Sequence, residues 1–229
     1  LYELFHIEDR FIYDEDLSIL DKNYKTDFCY PENRFENLLK FSGGGYRQKV
    51  LIKACTNGNL GDDLFVRIIL ERYKSSPIQF FLLVYKIEDY QYLLNEYPKL
   101  VLIKYPTPKM LLRILAKLQE SLAHSSRLKQ YGYEKAYHPL FDEKFDIFIN
   151  IGGSQFTEYE GESFLLSLYL EELMIRNIKA KTMLLINVNF GPFVTEKYKE
   201  KCEVVFKKYS RIIFRDQYSA QLFSKISQV

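Results

Sequence analysis

Four polar turns, three of them glycine-bearing, carry the residue types that could do chemistry. The first, Thr56-Asn57-Gly58-Asn59-Leu60-Gly61-Asp62-Asp63, combines glycines that let a ligand approach the backbone with two adjacent carboxylates. Asp62 reads as a helix cap and Asp63 as a partner of the helix dipole; the alternative is that one of them orients or deprotonates a hydroxyl. The turn is not a dinucleotide fingerprint. Its glycine spacing is wrong, and paired carboxylates repel a pyrophosphate. The second turn is Gly152-Gly153-Ser154, followed by Gln155 and Glu158. Its glycines either make the turn or bring backbone N–H groups to a carboxylate or phosphate. The third holds Asn187, Asn189, Gly191 and Pro192. In the fourth, Phe214-Arg215-Asp216-Gln217-Tyr218-Ser219, Arg215 leaves an apolar run and either grips an anion through its two-pronged guanidinium or pairs with Asp216.

Each turn closes a stretch of strand character, so the elements that position it can be read directly. Strands are expected at Val50 to Cys55, Ile78 to Tyr85, Leu100 to Lys104, Phe145 to Ile151, Thr182 to Val188 and Arg211 to Phe214. Several are continuous apolar runs, as in a parallel sheet covered on both faces. Helical periodicity fills the intervals at Asp63 to Tyr73, Glu88 to Glu96, Pro108 to Leu128, Glu162 to Asn177, Glu196 to Tyr209 and Tyr218 to Ile226. Strict alternation predicts an α/β fold: a Rossmann-like, doubly wound, mostly parallel sheet with helices on both faces. In such a sheet ligands gather beyond the carboxyl ends of the strands, where the four turns fall. Tyr131 to Lys144, with Gly132, His138 and Pro139, reads as an irregular loop. Residues 1 to 45 do not share the alternation and form an unassigned segment ahead of a domain over 46–229.

Composition narrows the function. The 229 residues carry 32 Lys and Arg against 30 Asp and Glu, a net charge of +2, which argues against nucleic acid or an anionic membrane as the main partner. Cys29, Cys55 and Cys202 lie far apart without metal-ligand spacing, so neither a disulfide framework nor a metal site is expected. No apolar run approaches the roughly 18 residues of a membrane span. A reducing cytoplasmic setting is expected, with the inner membrane face as a variant. His6, His124 and His138 read as surface or structural residues, and Tyr131, Tyr133 and Tyr137 as mostly packing, with a sugar site as the alternative.

Taken in order, Asn59-Leu60-Gly61-Asp62-Asp63, the segment from Asp146 to Ser154 (DIFINIGGS), Asn189-Phe190-Gly191-Pro192 and Phe214-Arg215-Asp216-x-x-Ser219 resemble the polysaccharide pyruvyl transferase family, over about Lys49 to Phe223. The resemblance implies transfer of a pyruvyl group from phosphoenolpyruvate onto two sugar hydroxyls, forming a ketal in a bacterial capsule, exopolysaccharide or cell-wall glycan. It implies no cofactor and no obligatory metal, and an acceptor that is a saccharide, free or lipid-linked. It also implies two Rossmann-like domains facing across a cleft, as in GT-B glycosyltransferases. This chain corresponds to the first. Since it ends at Val229, the second domain, with further basic residues and the general-acid histidine, is expected to be absent and the fragment inactive alone. By the resemblance Arg215 binds the donor. The residue-level reading adds Asp62 or Asp63 toward the acceptor hydroxyl, and Asn59, Gly61, Gly152, Gly153, Ser154, Asn189, Gly191 and Ser219 as substrate-binding positions. Two other readings stand beside it: a GT-B-like nucleotide-sugar glycosyltransferase, and a non-catalytic Rossmann-like binding module.

Overall fold

The computed structural model describes residues 48–55, 60–111, 113–115, 127–158 and 165–227. Six strands, β1 (Gln48–Lys53), β2 (Ile78–Val84), β3 (Leu100–Lys104), β4 (Lys144–Gly153), β5 (Lys179–Val188) and β6 (Arg211–Phe214), form one sheet. The order is β3-β2-β1-β4-β5-β6 and every pairing is parallel. This is the doubly wound Rossmann order, whose direction reverses between β1 and β4.

The period of two along each apolar strand sorts the core into two layers. Leu51, Leu83, Phe148, Leu185 and Ile212 point to one face; Val50, Ile52, Leu82, Ile149, Ile186 and Ile213 point to the other. The second face is covered by α1 (Leu60–Arg72), through Val66, Ile69 and Leu70, and by α2 (Gln91–Glu96), through Leu93. A 3-10 turn at Glu88–Tyr90 leads into α2. The first face is covered by α3 (Arg127–Asp142), α4 (Leu165–Asn177), α5 (Glu196–Phe206) and α6 (Gln217–Ser227). Two helices on one face and the later ones on the other is what right-handed crossovers give when strands are added outward from β1 in both directions.

Two expectations need correcting. The supposed loop from Tyr131 to Lys144 is most of α3, which runs through Gly132 and Pro139. Tyr133, Ala136, Tyr137 and Leu140 recur at helical spacing and pack on the first-face core, and that burial outweighs the breaker residues. Consequently Arg127 and Leu128 begin α3 and do not end the preceding helix, of which residues 110–111 and 113–115 are described as helical. Secondly, α1 starts at Leu60, so Asp62 and Asp63 stand inside its first turn, where the dipole favours them, and Asp62 is not the cap. The expected segment 1–45, Asn59, His6, His124 and Cys29 lie outside the described residues.

Candidate functional site

At the switch point, the strand ends of β1 and β4 bring together polar side chains that interrupt two apolar runs. Lys53, the last residue of β1, lies with its ammonium 2.7 Å from Glu171 Oε2 of α4. The same nitrogen donates to Asn150 Oδ1 of β4 at 3.1 Å and to Gln155 Oε1 at 3.0 Å. Asn150 donates through Nδ2 to Glu171 Oε1 and to the Tyr209 hydroxyl, both at 2.6 Å, and Tyr209 donates to Glu171 Oε1 at 2.7 Å. Asn150 is fully buried and Glu171 is 4% exposed. A buried carboxylate is costly unless its charge and lone pairs are matched, and here both are. Burial, reinforced by the neighbouring Glu171 charge, pushes the Tyr209 phenol far up, which keeps it a neutral donor.

Beside this network a cavity of about 300 Å³ opens at the carboxyl ends of β1, β2 and β3. Tyr85, Tyr105, Tyr133 and Tyr137 line it with Lys53, Glu171 and Gln155, and Cys55 sits in its wall. Tyr85 and Tyr105 stack at 4.5 Å between ring centroids, and the Tyr105 hydroxyl donates to the Ala54 carbonyl. Burial raises the phenols of Tyr85, Tyr105 and Tyr137, and the acid and base in the lining, Glu171 and Lys53, are paired with each other.

The other half of the sheet edge, beyond β4, β5 and β6, gathers the remaining expected residues. Gly152 is buried; a Cβ there would come 2.7 Å from Val188 Cγ2, so the residue is glycine because β5 lies against it. Gly153 and Asn187 take left-handed conformations, φ 49° and 53°. The Gly153 carbonyl accepts from the Asn189 N–H at 2.9 Å, tying the second and third turns together. Gly191, at φ 86° and followed by a cis peptide to Pro192, donates to the Phe156 carbonyl. Ser154 is exposed.

The fourth turn divides its labour. Asp216 accepts from Ser219 N at 2.8 Å, from Ser219 Oγ at 3.1 Å and from Asn189 Nδ2 at 3.0 Å. Ser219, only 1% exposed, accepts in turn from the Phe190 N–H at 2.9 Å. Its hydroxyl is therefore committed to holding the third turn against the start of α6. Arg215 differs. Its backbone N–H is fixed to the Val188 carbonyl, while its side chain is exposed and, among the described residues, makes no ion pair. Asp216, the expected pairing partner, is already occupied.

At the start of α1, Gly61 is exposed, and Asp63 Oδ1 accepts from the Tyr90 hydroxyl at 2.7 Å. The Asp62 side chain lies outside the described residues. His138 is exposed, 3.3 Å from Asp142 one helical turn on. Of the three tyrosines singled out in the sequence, Tyr133 and Tyr137 line the cavity, whereas Tyr131 is exposed on α3 with Lys135 over its ring. Lys53, Asn150, Glu171 and Tyr209 are not among the residues expected from the sequence. The available signal was a polar residue inside each apolar run: Lys53 and Asn150 in strands, Glu171 in the apolar stretch of α4. Among the described residues no three His, Cys, Asp or Glu side chains cluster to hold a metal, and no helix is long and apolar enough to cross a membrane.

Comparison with curated proteins gives no match. The family model for polysaccharide pyruvyl transferase matches residues 59–227, a span that runs from Asn59 in the turn after β1 through α6 and includes the second, third and fourth turns whole. A match over that much of the chain, on a sheet of this order, makes the protein a member of the polysaccharide pyruvyl transferase family of enzymes.

Proposed function

We propose that the protein transfers the pyruvyl group of phosphoenolpyruvate onto two hydroxyls of a saccharide, closing a ketal, in the synthesis of a bacterial surface polysaccharide. The observation that carries this reading is Arg215: an exposed guanidinium without an acidic partner among the described residues, at the carboxyl edge of the sheet of a family member. The donor bears a carboxylate and a phosphate, and both are anions that a guanidinium binds through paired hydrogen bonds.

In this reading Arg215 anchors the donor. Ser154 and the backbone around Gly152, Gly153 and Gly191 shape its bed, and Asp216, Ser219 and Asn189 hold that bed in place. Protonation of the donor methylene carbon gives an oxocarbenium-like centre. One sugar hydroxyl adds to it, phosphate departs with the electrons of its C–O bond, and the second hydroxyl closes the ring. Asp62 or Asp63, with Asn59 and Gly61 beside them, meets the acceptor at the end of β1 and takes a hydroxyl proton. Following the family resemblance, the proton donor is assigned to a histidine of a second Rossmann-like domain facing this edge in a GT-B-like arrangement. The site needs no cofactor, and the acceptor is taken free or lipid-linked at the inner membrane face.

Calorimetric titration with phosphoenolpyruvate, with a nucleotide sugar as control, tests the reading. Saturable binding of the donor that drops at least about tenfold in Arg215→Ala is the expected result. Binding of the nucleotide sugar alone would replace it with a glycosyltransferase.

A further inference from the structure

Taking the pyruvyl transferase reading as its basis, we propose that the tyrosine-lined cavity at the ends of β1 to β3 is a binding site for one uncharged sugar ring, separate from the anion site at Arg215. Its occupant can be argued from the charges. Lys53 is the cation in the lining, and its ammonium has three N–H donors. All three are spent, on Glu171, Asn150 and Gln155. No donor remains for a phosphate or carboxylate, and the paired Glu171 carboxylate would repel one. The donor substrate is thus excluded on electrostatic grounds, and a neutral ligand is not.

The lining fits a polyol with an apolar face. Tyr85 and Tyr105, stacked on each other, offer ring surface, and Tyr133 and Tyr137 add to the lining from α3. Tyrosine supplies rigid apolar area together with a hydroxyl, the combination a pyranose ring needs. At about 300 Å³ the cavity is at the small end of ligand sites, which span roughly 300–1,000 Å³, so it admits a single ring and little more. Tyr85 is 47% exposed, so the cavity lining reaches solvent at this residue, where the rest of an acceptor could continue.

Binding is read by isothermal titration calorimetry, since the fluorescence of 19 Tyr spread over the chain is not specific to the four that line the cavity. Methyl glucoside, galactoside, mannoside and N-acetylglucosaminide are titrated singly, without phosphoenolpyruvate, to about 20 mM, above the millimolar range of weak ligands. At least one should saturate, and it should slow alkylation of Cys55 in the cavity wall, followed by peptide mass spectrometry. Tyr85→Ala and Tyr133→Ala should each weaken that sugar at least about tenfold, while Arg215→Ala leaves it unchanged. Phosphoenolpyruvate should show the reverse pattern. Circular dichroism melts confirm that the variants fold; Tyr85→Phe, which keeps the ring, serves as the milder control. The cavity assignment is overturned if none of the four sugars binds, if binding does not protect Cys55, or if it survives both alanine variants. If the unmodified protein binds the sugar but not phosphoenolpyruvate, the pyruvyl transferase reading is overturned and the cavity assignment stands.

Discussion

Lys53 at the end of β1 and Glu171 on α4 form an ion pair of 2.7 Å in which both side chains are largely removed from solvent, 12% and 5% exposed. They join the first strand of the central pair to a helix more than a hundred residues later, directly beneath the cavity. Such a pair is held by its matched hydrogen bonds, and each member without the other is a buried charge.

Replacing one member alone, Lys53→Met or Glu171→Leu, should therefore cost about 3–5 kcal/mol of stability. The double variant should be less damaged than the sum of the two, because removing both leaves no orphan charge. A double-mutant cycle in urea checks this; additivity within about 0.5 kcal/mol would mean that the pair is not coupled.

Gly152→Ala should destabilise the fold by about 1–3 kcal/mol, because the new methyl group meets Val188 across the β4–β5 pairing. The signature is in the combination. Against a Val188→Ala background the same change should cost far less, which thermal melts of the four proteins would show.

The neighbours Arg215 and Asp216 should separate cleanly. Arg215→Ala removes an exposed side chain and should leave stability within about 0.5 kcal/mol of the parent. Asp216→Ala strips Ser219 N–H of its acceptor and frees Asn189, and should cost about 1–2 kcal/mol. Faster amide exchange at Ser219 and Phe190 in Asp216→Ala, but not in Arg215→Ala, is the accompanying readout.

Asp146 predicts an acid limit. The Lys181 ammonium at 2.6 Å and the Lys49 backbone N–H at 2.9 Å hold its carboxyl below the ordinary value of 3.8. A carboxyl lowered by folding stabilises the native state fully above its unfolded value, and that contribution is lost as pH falls through the lower folded value. Asp146→Asn should thus be less stable than the parent at about pH 6, with the difference shrinking toward about pH 3. Urea titrations at both pH values measure it; an undiminished gap would assign the effect to hydrogen bonding alone.

The six strands were legible because each is a short apolar run ended by glycine, asparagine or a charged residue, and burial on both faces leaves such runs little alternative. The helix α3 was not, because Gly132 and Pro139 mark a break locally while Tyr137 and Leu140 mark a buried face only once a sheet is there to receive them. The four turns were legible as a set, since the carboxyl edge of a parallel sheet collects them. What each residue does within them was not. Ser219 looks like a ligand-binding hydroxyl until Phe190 N–H and Asp216 are seen to use it. Lys53 and Glu171 stand 118 positions apart, and no local pattern announces their pairing.

The placement of β1 between β2 and β4 also governs how the chain must be made. Val50 pairs with Ile147, so the inner edge of the first strand waits for a partner translated 97 residues later. Throughout that interval Val50, Leu51 and Ile52 form an apolar strand with an open edge, a template for pairing with other chains. Delivery of β4 by the ribosome is thus the step that covers the inner edge of β1, with β5 and β6 then extending the sheet outward, and pausing before it would favour aggregation over folding.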